Sequence, residues 1–151
     1  VTLSLGDNGE AVWKVEPDAG APTVPSVLAV TAACEPPGCF HLLVAQGLEY
    51  EYPDLSVRFR TADRSSGTGG VALGVKDGQN FYAALVEPGA ARAQVIRVLD
   101  GAVTVLGQTP ITLKPIDWHS LRVHRHRQPI NGTETAGTQS ALAFSQFAGV
   151  A

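Results

Sequence analysis

The chain has 151 residues, a net charge of −3 and 44% hydrophobic residues, enough for one domain with its own core and too short for a second. Its eleven Lys and Arg are scattered apart from Arg122, Arg125 and Arg127, which argues against nucleic acid as a partner, since phosphate binding leaves a clustered basic footprint. No apolar run reaches membrane-spanning length.

In chain order, short runs rich in Val, Leu, Phe and Tyr alternate with turn residues, and apolar residues do not recur at helical spacing. The pattern predicts strands at Ser26–Thr31, Phe40–Ala45, Leu55–Thr61, Gly70–Lys76, Phe81–Val86, Gln94–Leu99, Ala102–Gly107 and Trp118–His126. Ahead of them, Trp13 and Val15 are expected to pin the N-terminal segment, which is followed by the Pro-rich connection "EPDAGAPTVPS". "KDGQN" and "LDGAV" read as Asp-Gly hairpin turns. In "LSVRFR", Val57 and Phe59 face one way and Ser56, Arg58 and Arg60 the other, as in a sheet with one wet face. "GGVALGV" is apolar or small on both faces, which predicts a central strand. The fold class is therefore all-β.

Cys34 and Cys39, in "CEPPGC", flank a Pro-Pro-Gly turn able to bring them within bridging range, which would suit an oxidising compartment; a pair of reduced buried thiols is the alternative. The chain contains no Met and begins at Val1, consistent either with cleavage of a leader and export or with a trimmed terminus.

The order of "VWKVEPD", "APTVPSVLAV", "LSVRFR", "GGVALGVKDGQNFYAALVEP", "VIRVLDGAVTVLG" and "DWHSLRVHRH", from Val12 to His126, resembles bacterial concanavalin A-like, laminin-G-like domains related to the 3-keto-disaccharide hydrolase group. The resemblance implies a jelly-roll sandwich of two antiparallel sheets, in a protein exported to the periplasm, a cell surface or the extracellular space. Where similar domains often carry Arg side chains, this chain has Leu73, Gly74 and Leu85, which weakens a polar sugar site there. The resemblance stops near Arg127, dividing the chain into a sandwich domain, 1–127, and an atypical tail, 128–151, with the usual last strands missing. Such an incomplete sandwich leaves an open edge for another chain, or for this tail added to a neighbour, with Phe144 and Phe147 at the interface.

Three kinds of site compete. For sugar binding, Tyr50, Tyr52 and Tyr82 supply aromatic surface, and Asp77, Gln79 and Asn80 polar partners. For glycoside cleavage, Glu49 and Glu51 fall on one face if "EYEYPD" is a strand, but their spacing does not match the paired acids of sandwich glucanases. For a metal, His124 and His126 stand two apart on one strand face, without the third and fourth ligands that zinc or copper requires. His119 falls on the opposite face with Leu121 and Val123; the resemblance implies that the Trp118–His119 pair is structural, the His bonding a backbone group at a strand entrance. Calcium at Asp77 or Asp100 is conceivable by resemblance alone, because both aspartates are already explained by their turns. The sequence thus points to a non-catalytic module binding a carbohydrate or another protein subunit, a homo-oligomer among the options, with no cofactor expected.

Overall fold

The structure is a computed structural model, and it describes residues 2–5, 12–30, 40–61, 67–114, 116–125 and 142–146. Among them are eleven strands and no helix: β1 Thr2–Leu5, β2 Trp13–Pro17, β3 Ser26–Val30, β4 Phe40–Leu43, β5 Asp54–Phe59, β6 Gly69–Asp77, β7 Asn80–Glu87, β8 Arg92–Leu99, β9 Ala102–Pro110, β10 His119–Arg125 and β11 Leu142–Gln146. The chain is all-β with antiparallel sheets, the character of a β-sandwich. All eight predicted strands are present, with no end moved by more than three residues.

β6, β7, β8 and β9 form a four-stranded meander in that order. Its centre supplies most of the core: Phe81, Ala83, Ala84, Leu85 and Val86 of β7, with Ala93, Val95, Ile96 and Val98 of β8, are buried. Buried runs this continuous need apolar residues on both strand faces, which is why β7 and β8 lack the alternation seen in β5. "GGVALGV", expected to be central, forms β6, which lies at the edge of this sheet among the described residues. Its small residues serve close approach. Gly69 lies under the Phe59 ring, where a Cβ would come within 2.2 Å of Cδ2, and at Gly70 a Cβ would come within 2.3 Å of the Ala84 carbonyl oxygen.

β5, β10 and β11 form a second sheet in the order β11-β10-β5. Its register sets Leu55 opposite Val123, Val57 opposite Leu121 and Phe59 opposite His119, so the apolar side chains of two sequence-distant strands meet on one face. Leu121 and Val123 are buried, while Ser56, Arg58, Ser120 and Arg122 are exposed, as the alternation predicts. Arg122 donates two hydrogen bonds to the Asp54 carboxylate on the wet face, 2.8 Å from Nε and 2.5 Å from Nη2, which raises the arginine pKa above its ordinary value.

β2 pairs with β3 in register from Trp13 opposite Val30 to Pro17 opposite Ser26, and β1 pairs with β4. The Val24–Pro25 peptide bond in the β2–β3 connection is cis. The chain divides into two compact units, the meander strands contributing to both. One gathers the described residues within Val1–Gly47, Ala72–Ala83 and Ile96–Gly107, and the other those within Leu48–Val71, Ala84–Val95 and Gln108–Ala151. In the first, the Phe40 and Phe81 rings meet edge to face at 6.0 Å between centroids.

Candidate functional site

Two neighbouring turns close one end of the meander. Asp100 and Gly101, joining β8 to β9, have φ of 49° and 78°, the left-handed pair of a type I′ turn, for which Asp-Gly is well suited. Gly78 and Gln79, joining β6 to β7, are held by the side chain before them. The Asp77 carboxylate accepts from the Gln79 amide at 2.7 Å and from the Asn80 side-chain amide at 3.0 Å. These bonds, the Gln79 amide first and the Asn80 side chain second, hold the Asp77 pKa below the ordinary carboxylate value. Asn80 also joins the turns, its Oδ1 accepting from the Asp100 amide at 3.1 Å, and the Gly101 amide donates to the Gln79 carbonyl at 3.0 Å. Of the three polar residues expected to meet a sugar, Asp77 and Asn80 thus use their side chains to hold the turns, and Gln79 takes part through its backbone amide and carbonyl.

Tyr50 and Tyr52 belong to the second unit and Tyr82, on β7, to the first; all three are exposed. "EYEYPD" is not a strand until Asp54: Glu51 and Tyr52 lie in bends ahead of Pro53, so Glu49 and Glu51 do not share a strand face. An earlier turn, with Gly47 at φ 73°, also breaks the extended run.

His119 bonds a backbone group, its Nε2–H donating to the Lys114 carbonyl at 2.8 Å, and its ring packs against Phe59 at 5.8 Å between centroids. Arg60 lies over the Trp118 ring at 5.0 Å, a cation–π contact that holds the strand entrance. His124 is half-buried on β10 opposite Asp54. No group of three His, Cys, Asp or Glu positioned to hold a metal occurs among the described residues. His126, Cys34, Cys39 and Phe147 lie outside the described residues. Phe144 is in β11, opposite Val123, so this tail strand pairs with β10 of its own chain. Asp100, the other calcium candidate, occupies the left-handed turn position already given.

The feature that the sequence reading passed over is the outer edge of β9. All nine of its residues are exposed, including Val103 at 41%, Val105 at 52% and Leu106 at 50%. Among the described residues β9 has one hydrogen-bonded neighbour, β8. Because the β8–β9 loop has two residues, Leu99 and Ala102 close the hairpin. By alternation Ala102, Thr104 and Leu106 direct their amides and carbonyls to β8, and Val103, Val105 and Gly107 direct theirs outward. Exposed edges are ordinarily blunted by charge, proline or a bulge. β6, the opposite edge, carries Lys76, Asp77 and a positive-φ Gly74. β9 has no charged residue, and its only proline is the last. The signal was in the sequence as the uncharged run "AVTVLGQTP", but a strand's composition does not say whether its second edge is covered.

A scan against protein-family models, a search of curated proteins and a search of solved structures each found no match to this chain. Among the described residues no helix is long and apolar enough to cross a membrane.

Proposed function

We propose that the chain is a non-catalytic β-sandwich interaction module, of concanavalin A-like jelly-roll type, that joins a protein neighbour through an open sheet edge at a cell surface or in an extracellular assembly. The observation that carries this reading is β9, nine uncharged residues exposed along their length, with one strand neighbour among the described residues. An edge of this kind offers a row of backbone donors and acceptors to an extended segment, which gains main-chain hydrogen bonds and covers Val103, Val105 and Leu106. The jelly-roll type and the extracellular setting rest on the order of motifs between Val12 and His126. Carbohydrate binding receives less support, because the Asp77 and Asn80 side chains are engaged with each other and with the adjacent turns. Glycoside cleavage receives less again, because Glu49 and Glu51 do not share a strand face.

Backbone hydrogen exchange on dilute purified chain tests the reading. The amides of Val103, Val105 and Gly107 are expected to exchange near unprotected rates, far faster than those of Thr104 and Leu106, which bond β8. Equal, strong protection of both sets at high dilution would mean that the edge is already covered, and would end the proposal.

A further inference from the structure

Resting on the edge reading above, we propose that the occupant of the β9 edge is a second copy of this chain, its β9 paired antiparallel to the first about a twofold axis at Thr104. Backbone geometry restricts the register. Only the odd-numbered residues of β9 present outward amides and carbonyls, so odd must meet odd across the new ladder and the axis must pass through a residue. With the axis at Thr104, Val103 meets Val105 twice in hydrogen-bonded pairs, Thr104 meets its own copy in the closer non-hydrogen-bonded pair, and Ala102 meets Leu106. Matched β-branched residues and a Thr–Thr pair are favourable cross-strand neighbours. An axis at Val105 or Leu106 would instead set a valine opposite Gly107 and lose that match.

Charge on the strand does not oppose a like partner. Ala102–Pro110 has no ionised side chain, so two copies meet without like-charge opposition despite the chain's net charge of −3. The same strand offers no charge pattern by which a different protein would be selected. A twofold pairing also closes. Two four-stranded meanders become one continuous sheet of eight strands, 4 + 4, and each outer edge is then β6, with its lysine, aspartate and positive-φ glycine.

The test combines light scattering with exchange and a charge swap. Molar mass is expected to rise with concentration from 15.8 kDa towards twice that value, while the Val103 and Val105 amides gain protection over the same range. Thr104→Lys and Thr104→Glu each set like charges at the axis, and each variant alone is expected to remain monomeric. Mixing the two sets opposite charges together and is expected to restore a heterodimer. Both side chains are solvent-facing in the monomer, and circular dichroism matching the parent chain shows that the variants fold. As a second perturbation, Val105→Pro removes an outward amide that β8 does not use, and is also expected to give a monomer. A parent dimer indifferent to all three substitutions would overturn the proposal. A parent that stays monomeric at every concentration would also overturn it; fast Val103 and Val105 exchange in that monomer would leave the edge open to a different protein, and slow exchange would overturn the edge reading as well.

Discussion

Substituting alanine for Gly70 and for Gly107, both in strands of the same meander, should move stability in opposite directions. Neither position has a left-handed φ, so each substitution gains about 0.4–1 kcal/mol by restricting the unfolded chain. At Gly107 nothing lies within 4 Å of the new Cβ, and that gain should appear undiminished. At Gly70 the Cβ would be 2.3 Å from the Ala84 carbonyl oxygen and 2.9 Å from Leu85 Cδ2, against a shortest tolerated approach of about 3.0 Å. The first contact must therefore open by 0.7 Å, 3.0 minus 2.3, against the backbone of a central, buried strand. Overpacking of this kind costs roughly 1–3 kcal/mol, which outweighs the entropic gain at the upper end and leaves Gly70→Ala destabilised by about 1–2 kcal/mol. The two variants should then differ by about 2 kcal/mol. With a urea dependence of roughly 1–3 kcal/mol per molar, their unfolding midpoints should stand on the order of 1 M apart. A Gly70→Ala midpoint equal to or above that of Gly107→Ala would refute the packing of β6 on β7 described above.

Two further outcomes are expected. Phe81→Ala should lower stability by about 3–5 kcal/mol, since Phe81 is 2% exposed and meets Phe40 edge to face, whereas Tyr82→Ala at the neighbouring exposed position should cost far less; equal losses in denaturant titrations would contradict the assignment of faces on β7. The folded-state pKa of Asp77 is depressed, so its bonds to Gln79 and Asn80 contribute stability above the ordinary carboxylate pKa of about 3.9 and lose it as pH falls from there through the lowered folded value. Stability measured from pH 7 to pH 2 should show the gap between the parent and Asp77→Asn shrinking over that acid range, and a gap constant with pH would show that the carboxylate charge has no part in the turn.

The strands were legible because their apolar alternation or continuity is local information. Leu55, Val57 and Phe59 announced β5, and the uninterrupted apolar run from Phe81 to Val86 announced β7. β2 was not read as a strand because "WKVEP" alternates without burying a face: every residue after Trp13 is exposed, and pairing with β3 determines its conformation. β6 was assigned the wrong place for a related reason. Small and apolar residues on two faces signify close neighbours, and a strand at a sheet edge acquires them when a ring such as that of Phe59 lies on Gly69. The polar candidates were named for their chemistry, but hydrogen bonding between turns twenty residues apart, as between Asn80 and Asp100, leaves no trace in spacing. The β9 edge was hidden likewise, because whether a strand's outer amides are paired depends on the whole topology.

The pairing of β5 with β10 orders events during folding. Asp54 and Arg122 are 68 residues apart in sequence, and the entropy lost in joining the ends of a loop rises with its length, by about 0.6 kcal/mol per doubling. The meander lies inside that loop and is built from hairpins between sequence neighbours, contacts that close early and cheaply. Once Gly69–Pro110 has folded, only about two fifths of the 68-residue loop remains to be closed, a little over one halving, which removes about 0.8 kcal/mol from the cost of closure. Substitutions that weaken the two-residue turns should consequently slow collapse of the whole chain, although they lie far in sequence from the strands whose meeting is delayed.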